Sequence, residues 1–353
     1  MPARRALPVL RPADAALPPL QARWLEAAMA APRLPDESNA TCDDCAMLGA
    51  PAGALAFSPD TRCCTYLPSL ANFLVGGALR DASPHGAASV RRRLAAGDGL
   101  SALGLLTDPT DLAAHPGPER FGRDAALRCP HYEPVGGRCG VWAWREATCA
   151  TWFCKHTRGE RAKALWNRLH QLLARLERAV AWHCALALDV PPEALARLSP
   201  LHRPDGSPRA DVVAYDASPW GRWAGDVEGY FRACASVAEA LTPAEVLALG
   251  GAEARALAAT VRLAAAQLMD DTLPDRVGLG RAQVVGLGAD GVRVQGYSHL
   301  DPLDVPRALF DQLHHFDGRP LDDALRAASA AAGEEVPPGA IGMLLDFGVL
   351  RGA

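Results

Sequence analysis

The chain has 353 residues, 49% hydrophobic and 22% charged, with a formal net charge of -4. This is an ordinary globular composition, long enough for two or three cores. The small charge, with both signs interspersed, argues against a surface built for nucleic acid or another polyanion.

Arg4 and Arg5 precede a stretch broken by Pro8, Pro12, Asp14, Pro18 and Pro19, which leaves no apolar signal-peptide core. Arg262 interrupts the longest Ala/Leu-rich run, so no window reaches the roughly 18 apolar residues of a membrane helix. A cytoplasmic protein with no membrane partner is expected. Residues 1–41 read as an N-terminal arm, with one helix from Leu20 to Ala30 packing through Trp24 and Leu25.

Residues 42–157 are dense in Gly, Pro and Cys and hold eight of the ten cysteines: Cys42, Cys45, Cys63, Cys64, Cys129, Cys139, Cys149 and Cys154. In a reducing compartment such spacing points to metal ligation rather than to a disulfide framework. Cys42 and Cys45 form a C-x-x-C knuckle, whose short gap lets sulfurs converge while backbone amides turn toward them. The side chains of adjacent Cys63 and Cys64 are expected to diverge, favouring two nearby centres or a polynuclear cluster. Apolar stretches at Leu70–Leu79 and Val90–Leu106 predict a small helical excursion between Cys64 and Cys129. Arg91, Arg92 and Arg93, at the start of its second helix, read as a solvated face.

Residues 158–275 predict a helical bundle. Leu165, Leu169, Leu172, Leu173, Leu176 and Val180 form one stripe of a helix from Glu160 to Leu188, ended by Pro191 and Pro192. Ser218 and Pro219 start a second helix, with Trp220, Trp223, Val227, Tyr230, Phe231 and Cys234 on one face. Thr242 and Glu245 give a capping box, and a third helix runs from Ala252 to Met269. Cys184 and Cys234 lie on apolar faces and read as small buried apolar residues.

Residues 276–353 change character. Val284, Val285 and Leu287 lead through Asp290-Gly291 into Val292, Val294 and Tyr297, a hairpin signal. Helices are predicted at Val305–Phe316, Leu321–Ala332 and Pro338–Val349. The pattern resembles a winged-helix module, similar in outline to small peptide-recognition domains beside enzymes that modify ribosomal peptides. The fold class read from the whole chain is mainly α: a Cys-rich metal-binding domain of short helices and loops, a helical bundle, and a small C-terminal α+β winged-helix-like module.

Cys129-Pro130, then Cys139-Gly140-Val141-Trp142, then Arg145 to Cys154 with Cys149 between, follow the C-x-x-C and vicinal pair in an order that resembles the YkgJ-type cysteine-cluster family. That resemblance covers about a third of the chain and implies metal chelation. Eight thiolates suit two four-sulfur zinc sites or iron-sulfur clusters equally, so the bound group is zinc or an iron-sulfur cluster. Departures are clear. Glu146 stands where the motif has proline, Ala150 replaces its arginine, Trp152 replaces phenylalanine, and the chain carries large insertions and a C-terminal extension.

His131 and His156 follow Cys129 and Cys154 by two residues, within reach as alternative ligands, but read first as surface histidines. No P-loop is present, and Gly278-Leu279-Gly280 and Gly286-Leu287-Gly288 lack the third glycine of a dinucleotide site. Asp270-Asp271 and Asp322-Asp323 sit where they complement helix ends. Of His314 and His315, one should face the core and the other solvent. The favoured function is a metal-binding protein whose C-terminal module takes a protein or peptide partner. An iron-sulfur redox or peptide-modifying enzyme is the alternative. A metal-sensing DNA-binding regulator is disfavoured because Arg319 and Arg326 are the only cations between Phe316 and Val349.

Overall fold

The computed structural model describes residues 17–29, 42, 45–49, 56–107, 117, 119–191 and 218–353. The rest of the expected N-terminal arm and the connection after Pro191 lie outside them. The described part is mainly helical, with small antiparallel sheets. Among the described residues, no single helix is long and apolar enough to cross a membrane.

The chain forms two compact units. Among the described residues, one takes the chain up to Trp152 together with Arg168–Val261, and the other takes Phe153–Asn167 with Arg262–Ala353.

In the first unit, α1 (Pro19–Met29) buries Trp24 completely and leaves Leu25 5% exposed, as its apolar spacing predicts. The excursion after Cys64 is helical, as expected, and is largely buried in this unit. A short strand β1 (Leu70–Ala71) leads into α2 (Asn72–Arg80), where Phe73, Leu74, Val75 and Leu79 are buried, each worth about 1.5–3 kcal/mol. Buried Asn72 holds the start of α2 by donating from Nδ2 to the carbonyls of Ala102 and Ala181. Next comes α3 (Pro84–Ala96), capped by Ser83 Oγ accepting from Gly86 N. Strands β2 (Leu100–Ser101) and β3 (Gly104–Leu105) then close a three-stranded sheet in the order β1-β3-β2.

After the hairpin of β4 (Tyr132–Glu133) with β5 (Arg138–Cys139) and the five-residue helix α4 (Ala147–Thr151), the long predicted helix appears as α5 (Gly159–Ala187). The second predicted helix is two elements: a 3-10 segment at Ser218–Trp223, then α6 (Val227–Ala240). Asp226 caps α6 by accepting from Gly229 N, which restarts the helix. Gly76 lets the α2 backbone lie against α6, since a Cβ there would come within 1.7 Å of Phe231 O. Helix α7 (Pro243–Met269) starts earlier than expected and bends at Gly251. The Thr242–Glu245 capping box forms reciprocally. Cys184 and Cys234 are fully buried, as read from the sequence.

The second unit contains two three-stranded antiparallel sheets. In one, β6 (Arg276–Leu279) lies between β10 (Asp317–Pro320) and β11 (Leu350–Gly352). In the other, β7 (Gln283–Leu287) and β8 (Gly291–Gln295) form the predicted hairpin, with a bulge between Val284 and Gly286, and β9 (Leu303–Pro306) pairs with β8. The helix expected at Val305–Phe316 is instead the end of β9, a short helix α8 (Arg307–Phe310) and a 3-10 turn at Leu313–His315. Pairing of Val305 with Val292 wins over helix there. His314 is exposed and His315 half-buried. Helices α9 (Leu321–Ala332) and α10 (Pro338–Asp346) pack on the core of Val277, Val292, Val305, Phe316 and Ile341. Within this unit the buried carboxylate of Asp346 accepts from Arg158 at 2.5 Å and pairs with Arg161 at 3.3 Å.

Candidate metal centre

Four separate stretches of the first unit bring thiols to one place. Cys42, Cys63, Cys64, Cys129, Cys139 and Cys149 line a single cavity of about 170 Å³, together with Tyr66, His131, Tyr132, Trp142, Arg145 and Glu146. Cys45 is close enough to Cys63 for their charges to interact. Cys154, expected to complete the set, belongs to the second unit and does not line this cavity.

Backbone amides lie close to three of the thiols. The N–H groups of Met47 and Leu48 near Cys45, of His131 and Tyr132 near Cys129, and of Val141 near Cys139 each act to lower the thiol pKa against the effect of burial. In two of these turns the N–H three residues on donates to the cysteine's own carbonyl, Leu48 N to Cys45 O and Tyr132 N to Cys129 O. The hairpin aligns Tyr132 with Cys139, and Gly140 N donates to His131 O, so Cys129 and Cys139 come together through paired backbone. Cys129 N donates in turn to Cys64 O. Cys149 lies in α4, whose N-cap is Glu146, accepting from Thr148 N and Cys149 N. The carboxylate that replaces the motif's proline is thus the cap of the helix carrying a cavity cysteine.

Adjacent Cys63 and Cys64 do not diverge, as expected of neighbours. Both line the cavity, and the interaction of the two neighbouring thiols holds the pKa of Cys63 below the usual thiol value and that of Cys64 above it. Elsewhere burial dominates, pushing Cys42 and Cys129 up to about 12 and Cys139 up to about 11. Cys149 rises well above the usual thiol range through burial first and the Glu146 charge second.

No protein-family model, characterised protein or solved structure matches this chain.

The two histidines are not on the surface as expected: His131 is completely buried and His156 is 6% exposed. His131 Nδ1 lies 2.8 Å from Ser89 Oγ and its Nε2 lies 3.4 Å from Arg93 Nη1. Arginine only donates, so Nε2 accepts and the proton sits on Nδ1, facing Ser89, whose hydroxyl donates to Gly86 O. Burial, followed by the charge of Arg93, depresses the His131 pKa to about 3. Both ring nitrogens are thus engaged, and His131 serves as a neutral wall of the cavity. His156, in the second unit, hydrogen-bonds from Nδ1 to Tyr297 Oη, which donates to Asp301. Burial, then the Lys163 charge, lowers its pKa to about 4.

Three arginines attend the thiols, none of them singled out in the sequence as site residues. Arg145, 5% exposed, stacks on Trp142 at 3.2 Å and faces Cys42, Cys63, Cys139 and Cys149. Arg62 exerts its charge on Cys42, Cys45 and Cys63. Arg93 is not on a solvated face: it is 3% exposed, bonded to Pro68 O and His131. Its spacing of four from Ser89 on the buried stripe of α3 was the available signal.

The donor chemistry suits a thiophilic metal. Among the described residues, however, no group of three or more His, Cys, Asp or Glu side chains is arranged to hold a metal ion. The sulfurs line a cavity rather than converge on one point, and its volume far exceeds the ~10–15 Å³ that one water requires.

Proposed function

We propose that this protein is a metal-binding protein, in which Cys42, Cys45, Cys63, Cys64, Cys129, Cys139 and Cys149 hold one polynuclear thiolate-ligated centre. The observation that carries this reading is the set of six cysteines, from four separate stretches of the chain, that line one cavity. Sulfurs spread around a cavity fit several metal atoms better than a single closed tetrahedral ion. This reading leaves out Cys154, which ends the YkgJ-type pattern, and so follows that resemblance through seven of its eight cysteines.

Zinc and an iron-sulfur cluster share this donor set. Anaerobic purification followed by metal analysis and a visible spectrum with and without dithionite separates them: a brown, reducible protein holds iron-sulfur, a colourless one with stoichiometric zinc holds zinc. Cys129→Ala and Cys139→Ala should lose the metal, while Cys154→Ala should retain it. A wild-type protein that takes up neither metal defeats the reading.

For the C-terminal unit we retain a winged-helix-like module for a protein or peptide partner. Supporting it is the edge strand β7, where Val284 and Val285 are half exposed and Leu287 is 76% exposed.

A further inference from the structure

The cavity thiols are accompanied by buried positive charge that their neutral forms do not need. Arg145 is 5% exposed and packed flat on Trp142. Arg62, which precedes Cys63 and stands behind the cavity lining, is near enough to Cys42, Cys45 and Cys63 for its charge to act on them, so the two arginines share Cys42 and Cys63. Arg62 is held there at a cost to the backbone. It adopts a left-handed φ of 50°, uncommon for a residue with a side chain. Gly137, with φ of 64°, leaves room for its guanidinium, because a Cβ at that position would lie 2.3 Å from Arg62 Nη2. Nε and Nη1 of Arg62 are buried and find no hydrogen-bond acceptor among the described residues.

Buried guanidinium donors call for acceptors, and buried charge calls for its opposite. Thiolates supply both, since each one beyond the second around a divalent ion adds uncompensated negative charge. We infer that Arg62 and Arg145 are the charge-compensating pair of this cavity, that the group it takes is a net-anionic, sulfur-ligated metal cluster, and that Arg62 donates its N–H groups to cysteine sulfur. This rests on the metal-binding reading above. It makes Arg62 a positioning residue that sets how firmly the cluster is held.

The test uses the full chain, loaded anaerobically with zinc(II) alone or with iron(II) and sulfide, and follows metal loss to EDTA. Arg62→Gln should release metal on the order of tenfold faster than wild type, the effect typical of removing a group that supports the ligands. Arg62→Lys, which keeps the charge but not the fork of donors, should fall between them. Arg91→Gln removes an exposed arginine paired with Glu228 and should match wild type. Far-UV circular dichroism reports folding, and if Arg62→Gln is unfolded the comparison passes to Arg62→Lys alone. Folded variants that release metal at the wild-type rate overturn the role of Arg62 while leaving metal binding intact. A wild type that takes up neither metal overturns both.

Discussion

Next to the cavity, a single carboxyl group shows how burial sets protonation. Glu177 is 7% exposed, accepts from Gln21 Nε2 at 2.6 Å and from Ala147 N, and is pushed well above the usual carboxylate range by burial first and the Glu146 charge second. A folded-state pKa above the unfolded one means that unfolding releases a proton. Its contribution to stability is therefore full below about pH 4.3 and is lost as pH rises toward the folded pKa. Glu177→Gln, neutral at every pH, should flatten that decline, and denaturant titrations of the two proteins between pH 5 and 8 should diverge. A parallel dependence would show Glu177 ionised in the fold. Glu177→Ala instead strands the Gln21 amide and the Ala147 N–H, costing about 1–3 kcal/mol. Its burial was legible in the sequence, since Glu177 falls on the apolar stripe between Leu173 and Val180, but its partners Gln21 and Glu146, which only the chain fold brings to it, were not. The grouping of the cysteines was legible in that six of the eight line one cavity. The burial of Arg93 could be read from its spacing of four from Ser89, but its contact with His131 could not, because only the chain fold brings the two together.

Elements were readable to the extent that one local signal governed them. Leu321–Ala332 appears with the predicted bounds, stopped by Gly333 in the left-handed conformation, and α5 matches its leucine stripe to within one residue at each end. The Val305–Phe316 stretch failed because strand pairing, a non-local term, overrode its helical pattern. The excursion between Cys64 and Cys129 was legible as helical, but not the packing that its glycines permit. Its glycines, Gly76 and Gly77, look like weak points of a helix until α6 and the Trp144 ring are seen against them. Gly76→Ala should force α2 away from α6 and cost about 1–3 kcal/mol, seen as a lower Tm. An unchanged Tm would mean that the two helices separate freely.

Over the whole molecule, a sequence divided into consecutive blocks meets a structure whose compact units are discontinuous in the chain. Phe153–Asn167 supplies the second unit with Arg158 and Arg161 for Asp346, and with His156 for Tyr297 and Asp301. The Arg158→Ala, Arg161→Ala double variant leaves the Asp346 carboxylate, with 9% of its side chain exposed, without these two partners, a change worth about 3–5 kcal/mol. Hydrogen exchange should show protection lost across Pro338–Asp346 and Leu350–Gly352 and kept across Val227–Ala240. Equal loss in both regions would mean that the chain unfolds as one cooperative body.

That discontinuity also bears on how the protein is made. A growing chain releases Phe153–Asn167 into solvent long before Asp301 and Asp346 have been synthesised, so its cationic side chains must wait for their anions. The second unit can mature only late in translation, and neither unit could be passed to another protein as one uninterrupted cassette.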